Sequence, residues 1–230
     1  MVPTQVARTA KSATESERRV LVLSGSKGGC GKSTICRNVL VAAKQAGLSA
    51  IGIDMDRQAT LTKWAERRQH ARVAVPECVS VDVFPARVTG WEDALSDAAS
   101  ADLIVVDTAP SVEEHMASVL ALCRAATLTV VPTGSTDDDL DSVIPWMKTL
   151  LAGGIRAEFV LNKVNARTRS FTAATARLNK AGRICPVNIP QLEDIHMPNG
   201  RGFVPLDFDR AKAIEPLDAV WTYLRREVGL

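Results

Sequence analysis

Eight consecutive residues, Lys27-Gly28-Gly29-Cys30-Gly31-Lys32-Ser33-Thr34, bring two lysines, three glycines and two hydroxyl side chains together. Glycines at 28, 29 and 31 let the backbone curl until its N–H groups converge on an anion. A helix beginning after Gly31 would add free N–H groups and the positive end of its dipole. Lys32 supplies a point charge for β- and γ-phosphates, and Ser33 a hydroxyl for Mg²⁺. The apolar run Val20-Leu21-Val22-Leu23 precedes these residues and a helical pattern over 33–45 follows. Strand, glycine turn and helix start is the context a phosphate-binding loop requires. The spacing departs from G-x-x-x-x-G-K-[ST] in one place: Ser26 stands where the first glycine belongs, with Gly25 one residue earlier. Lys27 is a second lysine inside the loop, free to reach something other than what Lys32 holds.

Aspartates end the other apolar runs. Asp107 closes Leu103-Ile104-Val105-Val106 and is placed to hold Mg²⁺, commonly through a water; a helix cap is the plainer role for such a residue. Thr108 follows it, so no adjacent glutamate stands as a base. Asp54 and Asp56 follow Ala50-Ile51-Gly52-Ile53, either as working carboxylates or as ordinary turn residues.

On these residues the chain resembles the ParA/MinD family of deviant Walker A ATPases, whose signature is K-G-G-x-G-K-[ST]. The likeness runs from about residue 19 to 230 and is nearest to small plasmid-type partition ATPases. The resemblance implies that Lys27 crosses an ATP-bridged homodimer to the partner's nucleotide. It implies that Asp56 orients the attacking water and that Asp54 supports the Mg²⁺ shell. The family's D-x-D-P-Q has Arg57 in place of proline here. Val131-Pro132 and Asp139-Leu140 are similar to the family's V-x-P-x-x-x-D-L region, with different spacing. Family members place an asparagine, matching Asn162, and backbone near Pro190 on adenine. Asn162-Lys163-Val164-Asn165 lacks the aspartate that reads guanine, which favours ATP over GTP.

These residues need a scaffold. Strands are expected at 20–24, 50–53, 79–83, 103–106, 127–131, 158–161 and 184–189. Helices are expected at 32–46, 60–69, 91–99, 111–124, 136–151 (with a kink at Pro145), 171–180 and from 216 on. The alternation gives an α/β single-domain P-loop NTPase with a mostly parallel twisted sheet and helices on both faces. Ligands in such sheets bind at the carboxyl ends of strands, which gathers the loop, Asp54, Asp56 and Asp107 at one edge. Residues 1–18 read as a flexible polar tail and 19–230 as the ATPase domain.

The 230 residues, 46% hydrophobic and 23% charged, suit a globular protein, and the apolar runs are far short of a membrane span. Five cysteines without a C-x-x-C pair and no apolar signal core point to reduced thiols in a cytosol. Charge is segregated: 92–141 carries eleven acids and one arginine, whereas 159–192 carries six Lys/Arg and no acid. An acidic face and a basic face are therefore expected. Arg169 and Lys180 lie opposite the apolar stripe Phe171, Ala174, Leu178, with Arg177 within about 80° of them. That face suits a phosphate backbone read without its bases. By resemblance the expected partners are non-specific DNA on the nucleoid and a ParB-like centromere-binding adaptor. Two competing readings stand beside this one. The stripe of the last helix could bind a membrane surface, as in MinD, or pack on the sheet. A cluster-carrying P-loop protein could use Cys78 and Cys123.

Overall fold

A computed structural model of the chain describes residues 19–110 and 114–230. The expected N-terminal tail lies outside the described residues. Eight strands form the sheet: β1 (Arg19–Leu23), β2 (Ala50–Met55), β3 (Asp82–Pro85), β4 (Leu103–Thr108), β5 (Leu128–Thr133), β6 (Ala157–Val164), β7 (Arg183–Ile184) and β8 (Ile189–Pro190). Their order is β3-β2-β4-β1-β5-β6-β7, with β8 also paired to β6, and every pairing is parallel. The helices are α1 (Lys32–Gln45), α2 (Thr60–Ala71), α3 (Trp91–Asp97), α4 (Met116–Ala125), α5 (Asp137–Ala152), α6 (Arg169–Asn179) and α7 (Ile214–Glu227).

A parallel sheet must be covered on both faces, and the side-chain alternation of β1 shows how. Leu21 and Leu23 enter one core with Ile35, Val39 and Leu40 of α1, Trp64 of α2 and Trp221 of α7. Val20 and Val22 enter the other, with Leu122 of α4, Trp146 and Met147 of α5 and Leu178 of α6. Close approach of α1 explains Gly52 in β2, where a Cβ would lie 2.9 Å from Leu40 Cδ1. The stripe of α7, Leu217, Val220, Trp221 and Leu224, is buried in the first core, so it is taken up by packing and not offered to a membrane. No helix among the described residues is long and apolar enough to cross a membrane. Cys78 and Cys123 are buried thiols.

Three expected elements differ. β3 begins three residues later than the alternation at 79–83 suggests, because Val79 and Val81 pack on the core while β2 pairs with Asp82 onward. Residues 111–113 of the expected fourth helix lie outside the described residues, and α4 starts at Met116. The single strand at 184–189 is two short ones, each joining β6 separately. α5 matches the expected helix within a residue at each end and holds Pro145 inside it.

The separate acidic and basic faces are corrected as well. α5 and α6 lie side by side, and Arg177 Nη1 and Nη2 pair with Asp137 and Asp141 at 2.6 and 2.9 Å. Segments far apart in charge along the chain are neighbours in space.

Candidate nucleotide site

Strand register sets the site. Across β1, β4 and β2, Leu23 stands opposite Asp107 and Asp107 opposite Asp54, all at the carboxyl edge. The chain then leaves β1 into the glycine loop and enters α1 at Lys32. Gly31 caps that helix with φ 103° and no side-chain hydrogen bond, leaving the first-turn N–H groups to an anion. A Cβ on Gly31 would meet Asn162 Nδ2 at 1.9 Å, and Gly29 also has a positive φ of 77°. Glycine is needed at 31 for both backbone shape and room.

The loop is fastened from two sides. On α5, Ser26 Oγ donates to the Ser142 carbonyl at 2.9 Å, and Lys27 Nζ donates to Asp139 Oδ1 at 2.7 Å. On β6, Asn162 Nδ2 donates to the Cys30 carbonyl at 2.7 Å and Lys163 Nζ to the Gly29 carbonyl at 2.8 Å. Successive strand residues normally face opposite ways. Lys163 escapes that rule through φ 57° and a bulge: Asn162 faces Ile189 and Val164 faces Pro190, leaving Lys163 the extra residue. Asn162, expected on adenine, thus donates its Nδ2 to the loop and also lines the neighbouring cavity. Pro190 pairs with Val164, while its successor Gln191 lines a cavity of about 430 Å³ with Lys27, Asn162 and Asn165.

The two loop lysines differ. Lys32 is buried, its Nζ donating to the Lys27 carbonyl at 3.2 Å and lying 3.9 Å from Cys30 Sγ. Lys27 is on the exposed rim, and its bond to Asp139 raises its pKa. Burial pushes the Asp139 carboxyl up, but bonds from Lys27 and Thr136 outweigh it and hold the group below its ordinary value. Asp139 also completes the capping box of α5 with Thr136.

Asp107 is 1% exposed, and neither carboxylate oxygen has a hydrogen-bond partner among the described residues. Burial drives its pKa up to about 7; the Ser33 hydroxyl and Lys32 oppose the shift, and Asp54 and Asp56 add to it. Two orphaned buried oxygens facing Ser33 and Lys32 are a poor place for a bare charge and a good one for a hard divalent cation. The residues therefore fit Mg²⁺. Asp54 is occupied differently: it accepts from the Asp56 amide (3.1 Å), the Thr62 amide (2.8 Å) and Thr62 Oγ1 (3.0 Å). It caps α2, whose N-cap residue, Ala59, offers no side-chain bond. Asp56 accepts from the Gln58 amide at 2.9 Å and lines a groove of about 250 Å³ with Gly28, Lys32, Ser33 and Thr34. Of the expected DNA contacts, Arg169 and Lys180 are exposed, and Arg177 is held by α5.

Lys163, Ser26 and Arg37 are site residues that sequence reading passed over. Arg37 carried a signal, the one charged residue in the stretch 35–43, where Asn38 is the only other strongly polar side chain. The role of Lys163 depends on a bulge that no local pattern announces.

A glycine loop at the carboxyl edge of a parallel sheet, with a buried lysine and an orphaned aspartate beside it, defines a P-loop nucleotide-binding protein. Residues 21–202 match the family described as the CobQ/CobB/MinD/ParA nucleotide binding domain, and the chain belongs to it. Among solved structures it is similar to the septum site-determining protein MinD of Pyrococcus horikoshii in complex with Mg-ADP. The two are 16% identical with a TM-score of 0.75, covering 92% of this chain and 98% of that one. A plasmid partition protein of Borrelia burgdorferi bound to AMPPNP is 16% identical, TM-score 0.68, with 91% and 99% covered. A Cyanothece McdA variant in an ATP complex is 16% identical, TM-score 0.69, with 93% and 97% covered. No curated protein matches the chain by sequence.

Proposed function

We propose that this chain is a slow Mg²⁺-dependent ATPase of the partition type, which dimerises around ATP, binds DNA non-specifically in that state, and is released when a DNA-bound adaptor stimulates hydrolysis. The observation that carries the reading is the division of labour between the lysines. Lys32 is folded into the loop, whereas Lys27 stands on the outer rim, where a second copy would meet it. Lys27, Lys32 and the loop amides would hold the phosphates, with Lys27 acting on the partner's nucleotide. Ser33 and Asp107 would hold Mg²⁺, which neutralises phosphate charge when bound. Asp56 would orient the attacking water. Phosphoryl transfer needs mostly positioning and charge neutralisation, so a weakly basic aspartate suffices for slow turnover. The Borrelia partition protein carries an ATP analogue, which supports ATP as the nucleotide. Arg169 and Lys180 would meet the DNA backbone, in keeping with a nucleoid-associated cytoplasmic protein.

The test is light scattering with ATP or ADP on the native chain and Lys27→Ala. Dimerisation with ATP alone, lost in the variant while nucleotide still binds, is expected. A Lys27→Ala chain that dimerises and turns over ATP at the native rate would overturn the reading.

A further inference from the structure

Arg37 is out of place in its helix. Its neighbours Ile35, Cys36, Val39 and Leu40 are core residues, and Arg37 itself is only 7% exposed. Burial lowers its pKa to about 10, so it is a cation at neutral pH. Its Nε donates to the Ser33 carbonyl at 3.0 Å and its Nη2 to Thr34 Oγ1 at 3.2 Å. The side chain thus folds back onto the phosphate end of α1. The third nitrogen, Nη1, has no partner among the described residues, yet it is not among the fully buried unsatisfied atoms. It therefore retains solvent contact, and Arg37 lines the groove that holds Lys32, Ser33, Thr34 and Asp56. Lys163 and His196 line that groove too, and burial lowers the pKa of His196 with help from the charges of Lys163 and Arg37.

We propose that Arg37 is a specificity-determining residue that anchors the α-phosphate of the bound nucleotide through its free Nη1. This rests on the nucleotide-binding reading above. Along the start of α1 the groove offers Lys32 first, then the Ser33 hydroxyl, then Thr34 with Arg37 bonded to it. If the β- and γ-phosphates sit on Lys32 and the loop amides, the next phosphoryl group inward lies toward Thr34 and the Arg37 guanidinium bonded to it. A guanidinium already fixed by two hydrogen bonds loses little freedom in making a third, and a charge-assisted bond to phosphate is among the stronger ones. A purely structural Arg37 would tie α1 to its own first turn and make no distinction among phosphate ligands.

Calorimetry on the full chain separates the two roles, using ADP, ATP and inorganic pyrophosphate with Mg²⁺. Arg37→Gln should bind ADP and ATP about tenfold to a hundredfold more weakly, with pyrophosphate changed by less than about twofold. Unchanged ADP affinity, or equal losses for ADP and pyrophosphate, would overturn the proposal. In case the variant does not fold, the native chain carries the same test. The Arg37 Nη resonances should shift on adding ADP and stay in place with pyrophosphate; no shift with ADP would overturn it. A native chain that binds none of the three ligands would overturn the nucleotide reading itself, and this inference with it.

Discussion

Replacing Asp107 with asparagine should stabilise the metal-free protein while removing its metal-dependent activity. In the fold the carboxyl's pKa is raised from 3.8 to about 7, first by burial and then by Asp54 and Asp56. Because the folded pKa is the higher one, the group's favourable contribution is fully present below the unfolded value. It is lost as pH rises through the folded one. With one pKa unit equal to about 1.4 kcal/mol, a carboxyl shifted this far costs the folded state about 1.7 kcal/mol at about pH 5 and about 4.3 kcal/mol at about pH 8. The difference, about 2.6 kcal/mol, is an upper bound on what Asp107 contributes to pH dependence over that window. Asp107→Asn cannot ionise, so its stability should fall less between those two pH values by up to this amount. The assay is urea denaturation with a chelator present, native chain against variant, at several pH values. Parallel stability profiles for the two chains would refute the claim that Asp107 is strained by its own charge. The same strain favours Mg²⁺, which should bind with release of a proton below about pH 7.

Other outcomes follow from geometry already described. Gly31→Ala should weaken nucleotide binding at least tenfold or so, and truncating Asn162 should not rescue it, since φ 103° remains strained for alanine; calorimetry on both variants checks this. Asp139→Asn should free Lys27 at a small cost, because an ion pair on an exposed rim is heavily screened by solvent. The ATP-dependent dimer, which carries two such lysines, should then tighten modestly, read by concentration-dependent light scattering. Arg68 and Asp207 form a bidentate pair at 2.7 and 2.8 Å, 1% and 2% exposed. Arg68→Met should cost about 3–5 kcal/mol by denaturation, and adding Asp207→Asn should recover part of it. Changing both Arg169 and Lys180 to alanine should lower the salt slope of DNA binding by up to about 3.6 for a dimer, alike on unrelated sequences.

The phosphate loop and the α/β scaffold were legible because both are local. Glycine spacing, a lysine–serine pair and apolar runs four or five residues long carry their meaning within one element. Asp107 was legible for the same reason, as the polar end of a wholly buried strand. What the sequence hid was mostly set by neighbours remote in the chain. Asn162 belongs to the loop because α1 starts directly beside β6, which brings residues 31 and 162 into contact. Arg177 is neutralised by aspartates about forty positions away, and only the packing of α5 on α6 reveals it. Asp54 is expected in the metal shell; that it also caps α2 was not legible, because Ala59 stands where a capping side chain belongs and Thr62 is eight positions away.

That substitution leaves a built-in reporter. As the third residue of α2, Thr62 has an amide with no carbonyl of its own helix to reach, and it bonds to Asp54 alone. Its hydrogen-exchange rate and proton chemical shift therefore register where the Asp54 carboxylate is. A single resolved amide cross-peak of the ¹⁵N-enriched chain would tell, without any attached probe, whether the strand-two aspartate stays on its helix or turns toward the phosphates as ligand arrives. Protection that persists through ATP and Mg²⁺ addition would mean that Asp54 stays a cap throughout.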